Sequence, residues 1–164
     1  MEFREKKHRL PQELYKGTIS VAFTLCLGED SEKGFNLNEP EIVKAFTGFL
    51  TLASEKEKCI IPVYCFMPNH QHLIITGTAN NSNLWESVVN YKQKTGYRFS
   101  KNRPEMRWQK DFYDHIIRTD GSVAVQVKYI LDNPVRKGLV PTWQEYPFKG
   151  SIGCRLEDIL IGIV

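Results

Sequence analysis

Hydrophobic and polar residues alternate over several short stretches of the chain. Every second residue between Thr18 and Leu27 is apolar, which predicts a half-buried strand. Cys59–Phe66 and His70–Thr76 are apolar, β-rich runs separated by the turn 67–69, and they predict an antiparallel hairpin. Alternation returns over Phe112–Arg118. The pattern therefore predicts four strands.

Apolar residues recur at helical spacing between and after these strands. The first predicted helix follows the first strand, makes about four turns and has Asn38 as a possible cap. The second runs from the capping residue Asn83 to about Ser100. The third covers Ser122–Asn133, and Pro134 is expected to stop it.

The order of these elements defines the fold class. Strand, helix, strand, strand, helix, strand is the split βαββαβ order of an α+β ferredoxin-like domain, an antiparallel sheet with helices on one face. The Ser122–Asn133 helix is additional. The length of 164 residues predicts one domain, residues 1–164, with a core at about 15–148 and a short tail at 149–164. The tail is assigned no function; its apolar end, 159–164, is either a late strand or a self-association patch.

Composition excludes several classes of protein. With 41% hydrophobic and 25% charged residues, the chain is neither disordered nor fibrous. No apolar run reaches the roughly 20 residues of a membrane helix, and residues 1–12 do not resemble a signal peptide. The four cysteines form no CxxC pair and are expected to be reduced core residues. We expect a cytosolic protein without a membrane partner.

Positive charge is concentrated in one part of the chain, although the net charge is only +3. Residues 91–118 interleave basic and aromatic side chains, a mixture that can neutralise phosphates and stack unpaired bases. The alternative is a solvated helix face whose aromatic rings belong to the core. The candidate DNA-binding residues are Lys92, Arg98, Arg107, Arg118 and, further along the chain, Arg136.

His70 and His72 provide the first candidate for chemistry. Side chains two apart in a strand point the same way, so the two imidazoles can hold one ion. Such a pair also occurs as packed or surface histidines, and in unrelated zinc and iron sites. A third ligand is needed.

The third helix offers that ligand together with a nucleophile. Tyr129 and Asn133 are four residues apart and lie one above the other, so both could reach one ion. Alternatively, Tyr129 is a boundary aromatic residue and Asn133 only ends the helix. Imidazoles, an amide oxygen and a phenol suit phosphoryl transfer assisted by Mg²⁺ or Mn²⁺, with tyrosine as the attacking group. Zinc is a further possibility.

Three blocks in the right order resemble the single-tyrosine HUH transposases, in particular the REP-associated tyrosine transposases of bacteria. They are Met67–Ile75, Trp108–Arg118 and Tyr129–Val140. The resemblance implies a ferredoxin-like fold, metal binding by the histidines, and Tyr129 as the nucleophile that cuts single-stranded DNA and holds its 5′ phosphate. It implies Asn133 as an amide ligand, hairpin DNA as the substrate, and action in the bacterial cytoplasm at the nucleoid.

The resemblance leaves three points open. Gln71 stands where the family normally has a hydrophobic residue, so the packing beneath the strand is expected to differ. Some relatives are dimers that exchange the tyrosine helix, whereas others act as monomers, so a homodimer is an open alternative. Two other functions compete with transposition: a domesticated module that binds single strands without cutting, and an unrelated metal hydrolase that does not need Tyr129.

Overall fold

The computed structural model describes residues 11–29, 34–118 and 120–162, with five strands and five helices in that part of the chain. The strands are β1 Ser20–Cys26, β2 Cys59–Phe66, β3 His70–Gly77, β4 Tyr113–Ile117 and β5 Lys149–Ile152. The helices are α1 Pro40–Lys56, α2 Leu84–Asn102, α3 Asp120–Leu131, α4 Asn133–Arg136 and α5 Leu156–Ile159. The four predicted strands and the first two predicted helices are all present.

The strands form one antiparallel sheet in the order β4-β1-β3-β2-β5. The first four strands have the ferredoxin-like arrangement, which confirms the predicted α+β fold class. β3 lies at the centre, paired with β1 on one side and β2 on the other. The strand that begins with the two histidines is therefore fixed by backbone hydrogen bonds along both edges.

Helices α1 and α2 cover the first face of the sheet. The apolar stripe of α1, including Phe46 and Leu50, packs against inward residues of β1 such as Phe23 and Leu25. Tyr91 and Phe99 on α2 are buried in the same cluster. Asn83 caps α2 through its side chain, which accepts a hydrogen bond from the Glu86 backbone, as its position before the helix predicts.

The second face of the sheet is covered by the additional helix α3. Val127, Ile130 and Leu131 pack with Val63 and Ile74 in a separate apolar cluster. Both faces of the central strands are consequently buried, so β1 is covered more completely than the predicted half-buried strand. This second layer matters for function because the odd-numbered side chains of β3 face α1 and α2, whereas the even-numbered ones, the histidines included, face α3.

The structure differs from the sequence prediction after residue 131. The third helix ends at Leu131 rather than Asn133, and α4 begins immediately beyond the break and contains Pro134 near its start. Proline is accepted in the first turn of a helix because its missing N–H has no partner there. Pro134 therefore starts a helix rather than stopping one.

The tail also differs from its prediction. Lys149–Ile152 pairs with β2 as the fifth strand, so the sheet extends past the predicted core boundary at 148. The segment has no alternating apolar pattern, which is why its sequence did not predict a strand. Gly150 is needed there because a Cβ atom would lie 2.5 Å from the Tyr64 hydroxyl oxygen. Residues 163–164 lie outside the described residues, and the single-domain boundary stays a prediction.

The cysteines and the membrane prediction can be compared with the structure directly. Cys26, Cys59 and Cys65 are buried and Cys154 is partly buried, and all four are free thiols, as expected. Burial raises the pKa of Cys26 to about 11, so that thiol is inert at neutral pH. No helix within the described residues is long and apolar enough to cross a membrane.

Candidate metal and nucleophile site

The two histidines begin the central strand, directly after the turn that joins β2 to β3. His70 lies opposite Cys26 and His72 opposite Thr24 across the β1–β3 ladder. Alternation along β3 directs both imidazoles to the α3 side of the sheet, and their Nε2 atoms are 3.1 Å apart. The predicted shared face of the pair is thus present in the structure.

Each imidazole is oriented by a hydrogen bond at its other nitrogen. Nδ1 of His70 is 2.7 Å from the Asn69 side-chain oxygen, and Nδ1 of His72 is 3.0 Å from the Thr24 hydroxyl. An amide oxygen can only accept, so it holds the proton of His70 on Nδ1 and leaves Nε2 as an acceptor. Such outer partners are what fixes the ring orientation of metal-binding histidines.

Both imidazoles are neutral at pH 7. Burial lowers the pKa of His70 to about 4, with a further contribution from the Lys137 charge. Burial lowers the pKa of His72 to about 3, with contributions from His70 and Arg136. Neutral imidazoles have a lone pair to donate, as metal ligands must.

Asn133 reaches the histidines from the start of α4. Its side chain is buried, and its amide nitrogen lies 3.5 Å from Nε2 of His70. A half-turn of the amide group would place its oxygen there instead. The three side chains line one open cleft of about 520 Å³. The structure therefore brings together the three predicted metal ligands.

Tyr129 lies elsewhere. Its side chain is 50% exposed on α3, and it is not among the described residues that line the cleft. The guanidinium of Arg136 is 4.0 Å from the centre of its ring and also donates a hydrogen bond to the Tyr129 carbonyl oxygen at 2.9 Å. The break between α3 and α4 separates Tyr129 from Asn133, so the two no longer lie on one continuous helix.

The geometry of the histidines can be compared with that of an ion site. Two ligands about 2.1 Å from one octahedral ion are about 3.0 Å apart when they meet at a right angle. The observed Nε2–Nε2 distance of 3.1 Å fits this arrangement. Among the described residues, no cluster of three or more His, Cys, Asp or Glu side chains could hold a metal ion. An ion here depends on the amide oxygen of Asn133 as its third protein ligand.

The five candidate DNA-binding residues are spread over several surfaces. Lys92 and Arg107 line a cleft of about 650 Å³ between α2 and residues 107–112. Arg98 lines a smaller cleft between α1 and α2, and Arg118 is exposed at the end of β4. Arg136 covers Tyr129. Of the five, Arg136 is the one whose charge acts on the histidine site, where it contributes to the lowered pKa of His72.

The aromatic residues of segment 91–118 belong mainly to the core. Tyr91, Phe99, Trp108 and Phe112 are buried, as the solvated-helix alternative predicts. Tyr113 is half-buried, and Tyr97 is 67% exposed with the Lys101 ammonium 5.5 Å from its ring centre. Base stacking on this segment is thus limited to few rings.

Sequence reasoning missed four residues of the site. Thr24 and Asn69 orient the imidazoles, and Asn36 and Lys137 line the cleft. The sequence had one usable signal, because Asn69 precedes His70 directly. Thr24 and Asn36 come from distant parts of the chain, so only the β1–β3 register and the packing of the loop before α1 reveal them.

The same fold occurs in a solved structure of a REP-associated tyrosine transposase bound to a REP hairpin. The TM-score is 0.68 at 20% sequence identity, and the match covers 91% of this chain and 81% of that chain. The two chains therefore share the same fold.

Sequence comparison identifies the family. Residues 35–133 match the model described as "Transposase IS200 like". The chain belongs to this family, which confirms the resemblance seen in the three sequence blocks. It is 32% identical over 95 residues to a REP-associated tyrosine transposase candidate of Haemophilus influenzae, and 33% identical over 91 residues to a REP-associated tyrosine transposase of Escherichia coli. These matches cover 51% and 54% of this chain, and 54% and 52% of the relatives. The chain thus spans about half the length of the curated relatives it matches.

Proposed function

We propose that the protein is a metal-dependent endonuclease and strand transferase that acts on hairpin-forming single-stranded DNA. His70, His72 and Asn133 hold Mg²⁺ or Mn²⁺, and Tyr129 is the nucleophile. The convergence of the two imidazoles and the Asn133 amide, in a chain of the IS200-like family, is the observation that carries the proposal. Hard ions with mixed nitrogen and oxygen ligands suit phosphate chemistry.

The chemistry follows from the groups present. The ion, when bound, polarises a phosphate oxygen and neutralises charge that develops at phosphorus. The Tyr129 oxygen loses its proton and forms a bond to phosphorus while the bond from phosphorus to the 3′ oxygen breaks, and that oxygen takes up a proton. The product is a 5′-phosphotyrosine and a free 3′ hydroxyl. Attack by a 3′ hydroxyl reverses the step and rejoins DNA without ATP.

Tyr129 must approach the cleft for this reaction. Either α3 moves relative to α4 at the break beside Asp132, or the Tyr129 side chain comes from a second copy of the chain. Mixing two inactive variants distinguishes these routes. Tyr129→Phe and His72→Ala proteins restore activity to each other only if one copy supplies the tyrosine and the other the ion site.

Hairpin DNA is proposed as the substrate because the transposase with the same fold is bound to one. The substrate implies action at the bacterial nucleoid. Lys92 and Arg107 line a cleft of about 650 Å³ on the α2 face, near the same end of the sheet, since the Arg107 carbonyl oxygen accepts a backbone hydrogen bond from Gly28 just beyond β1. Of the five candidates, Arg136 is expected to lie nearest the cut strand, because its charge acts on His72, and Lys92 and Arg107 are expected to contact DNA further from it.

The direct test uses a set of labelled oligonucleotides that form diverse hairpins. Wild-type protein with Mn²⁺ should give a covalent adduct on a denaturing gel. The Tyr129→Phe protein should bind the same DNA without forming the adduct, and EDTA should abolish the adduct. An adduct that survives Tyr129→Phe would refute the assigned nucleophile, and the absence of any adduct would refute the cleavage function.

A binding module that has lost cleavage is the second candidate. It is favoured by one observation, the half-exposed position of Tyr129 beneath Arg136 and outside the cleft. This function predicts hairpin binding that EDTA does not change and no nicking under any metal condition. The same gel and a binding titration with and without EDTA separate the two candidates.

A further inference from the structure

The cleft beside the histidines is larger than an ion requires. It encloses about 520 Å³. An ion keeps a few water ligands, and at about 30 Å³ for each water this assembly fills less than about 200 Å³. The remaining space is comparable to small-ligand pockets, which start at about 300 Å³. Something other than the ion and its waters can therefore occupy the cleft.

The part of the cleft away from the ion has apolar surfaces. Met67 and Pro68 form the turn before His70, and Leu139 lies beyond α4. Met67 is only 1% exposed, so it backs the turn from inside the protein, and Pro68 and Leu139 provide the apolar surface that a ligand can touch. Apolar side chains of this kind can cover the face of a flat ring.

Two amide groups stand beside these apolar surfaces. The backbone N–H of Leu37 donates to the Pro68 carbonyl oxygen at 2.8 Å, and this bond fixes Asn36 next to the turn that carries Asn69. The Asn69 oxygen is used by His70, and its NH₂ group has no partner among the described residues. The amide of Asn36 likewise has no partner in the described part of the chain. Amides can donate and accept at once, as the edge of a nucleobase requires.

The cleft also contains a cationic side chain. Lys137 lines the same cleft and is exposed, so its ammonium can meet a phosphate at the entrance. A nucleotide has a flat base with a polar edge and a phosphate on the other side. The cleft presents apolar surfaces, amide groups and a cation, so each part of a nucleotide has a chemically matched group.

We propose that this cleft binds one unpaired nucleobase of the DNA strand next to the cleaved phosphate. Asn36 contacts the edge of the base, Pro68 and Leu139 cover its face, and Lys137 pairs with a flanking phosphate. Asn36 is then a specificity-determining residue. The proposal rests on the proposed function, because it assumes a DNA strand at the histidine site.

The test uses a hairpin oligonucleotide with an unpaired tail and 2-aminopurine at one tail position at a time. The Tyr129→Phe protein with Mg²⁺ should raise the fluorescence several-fold at one position, because the base leaves its stack with its neighbours. Asn36→Ala should weaken binding of that oligonucleotide about tenfold, the size of one good base contact. It should not affect binding of the same oligonucleotide with an abasic site at that position. Asn80→Ala is the control, because it removes an exposed amide beyond the far end of β3. It should change neither the fluorescence response nor the binding affinity.

Two results would overturn the proposal: a bound hairpin with no responding tail position, or equal weakening of intact and abasic DNA by Asn36→Ala. Adduct formation by the wild-type protein on the same oligonucleotide reports on the proposed function separately. A fluorescence response that depends on Asn36, without any adduct, supports the base pocket and refutes cleavage. An adduct without such a response supports cleavage and refutes the base pocket.

Discussion

The buried amide of Gln71 allows a quantitative prediction about stability. Gln71 lies between the two histidines on β3 but faces the opposite side of the sheet, where it is fully buried. Its oxygen accepts a hydrogen bond from the Tyr91 hydroxyl at 2.5 Å, and its nitrogen has no partner among the described residues. Burial also raises the pKa of Tyr91, so its phenol stays protonated and remains the donor.

The magnitudes follow from these contacts. Tyr91→Phe leaves the Gln71 oxygen without its donor and should lower the free energy of unfolding by about 1–3 kcal/mol. The double variant Gln71→Met with Tyr91→Phe loses one hydrogen bond, worth about 1 kcal/mol net, but removes an unpartnered nitrogen that costs about 1–3 kcal/mol. Methionine keeps the length of the side chain and fills the space. The double variant should therefore be about 1 kcal/mol more stable than wild type, or about 2–4 °C higher in Tm.

Urea unfolding of wild type, both single variants and the double variant forms a complete cycle. Gln71→Met alone should be close to neutral, because it removes one unpartnered group and creates another on Tyr91. The reasoning fails if the double variant is less stable than wild type by 1 kcal/mol or more. It fails equally if Tyr91→Phe alone has no effect. Binding of Mn²⁺ should be unchanged throughout, since the amide faces away from the imidazoles.

Three further changes test other contacts. Gly77→Ala should lower the free energy of unfolding, measured in urea, by about 3 kcal/mol, because the new Cβ would lie 1.9 Å from a backbone oxygen. The control Gly48→Ala has open space around its Cβ and should be neutral or slightly stabilising. Asn69→Ala should weaken Mn²⁺ binding 10–100-fold by calorimetry, because it frees the His70 ring; unchanged affinity would contradict the orienting role. Arg136→Ala should lower the free energy of unfolding by about 1 kcal/mol, because its contacts with Tyr129 are lost. The neighbouring Lys137→Ala should not change this free energy measurably. Equal effects of the two variants would argue against the stacking of Arg136 on Tyr129.

The sequence predicted the sheet well because its signals are local. Alternation located β1, and two apolar runs separated by a Met-Pro-Asn turn located β2 and β3. The period-two geometry of a strand was sufficient to place His70 and His72 on one face. β5 was missed because its four residues have no such period, and only pairing with β2 makes them a strand.

The third helix shows where local signals were insufficient. Four-residue spacing predicted that Tyr129 and Asn133 share one helix face, which requires a continuous helix. The structure shows two things that the spacing lacks: α3 ends at Leu131, and Asn133 belongs to the separate helix α4. Neither is visible in the spacing of residues. The contact between Asn133 and His70 is a tertiary one, and residue spacing alone shows only that it is possible.

The central position of β3 affects what a chelator can do to this protein. Backbone pairing on both edges of that strand keeps the imidazoles at their spacing whether or not a cation is present, unlike in zinc fingers, whose ligands assemble only around the metal. Metal binding would thus contribute little to the free energy of folding. A chelator that removes the ion should abolish DNA cleavage while the apoprotein stays folded. The purified apoprotein could then be stored folded but inactive, and addition of a Mg²⁺ or Mn²⁺ salt would restore its activity.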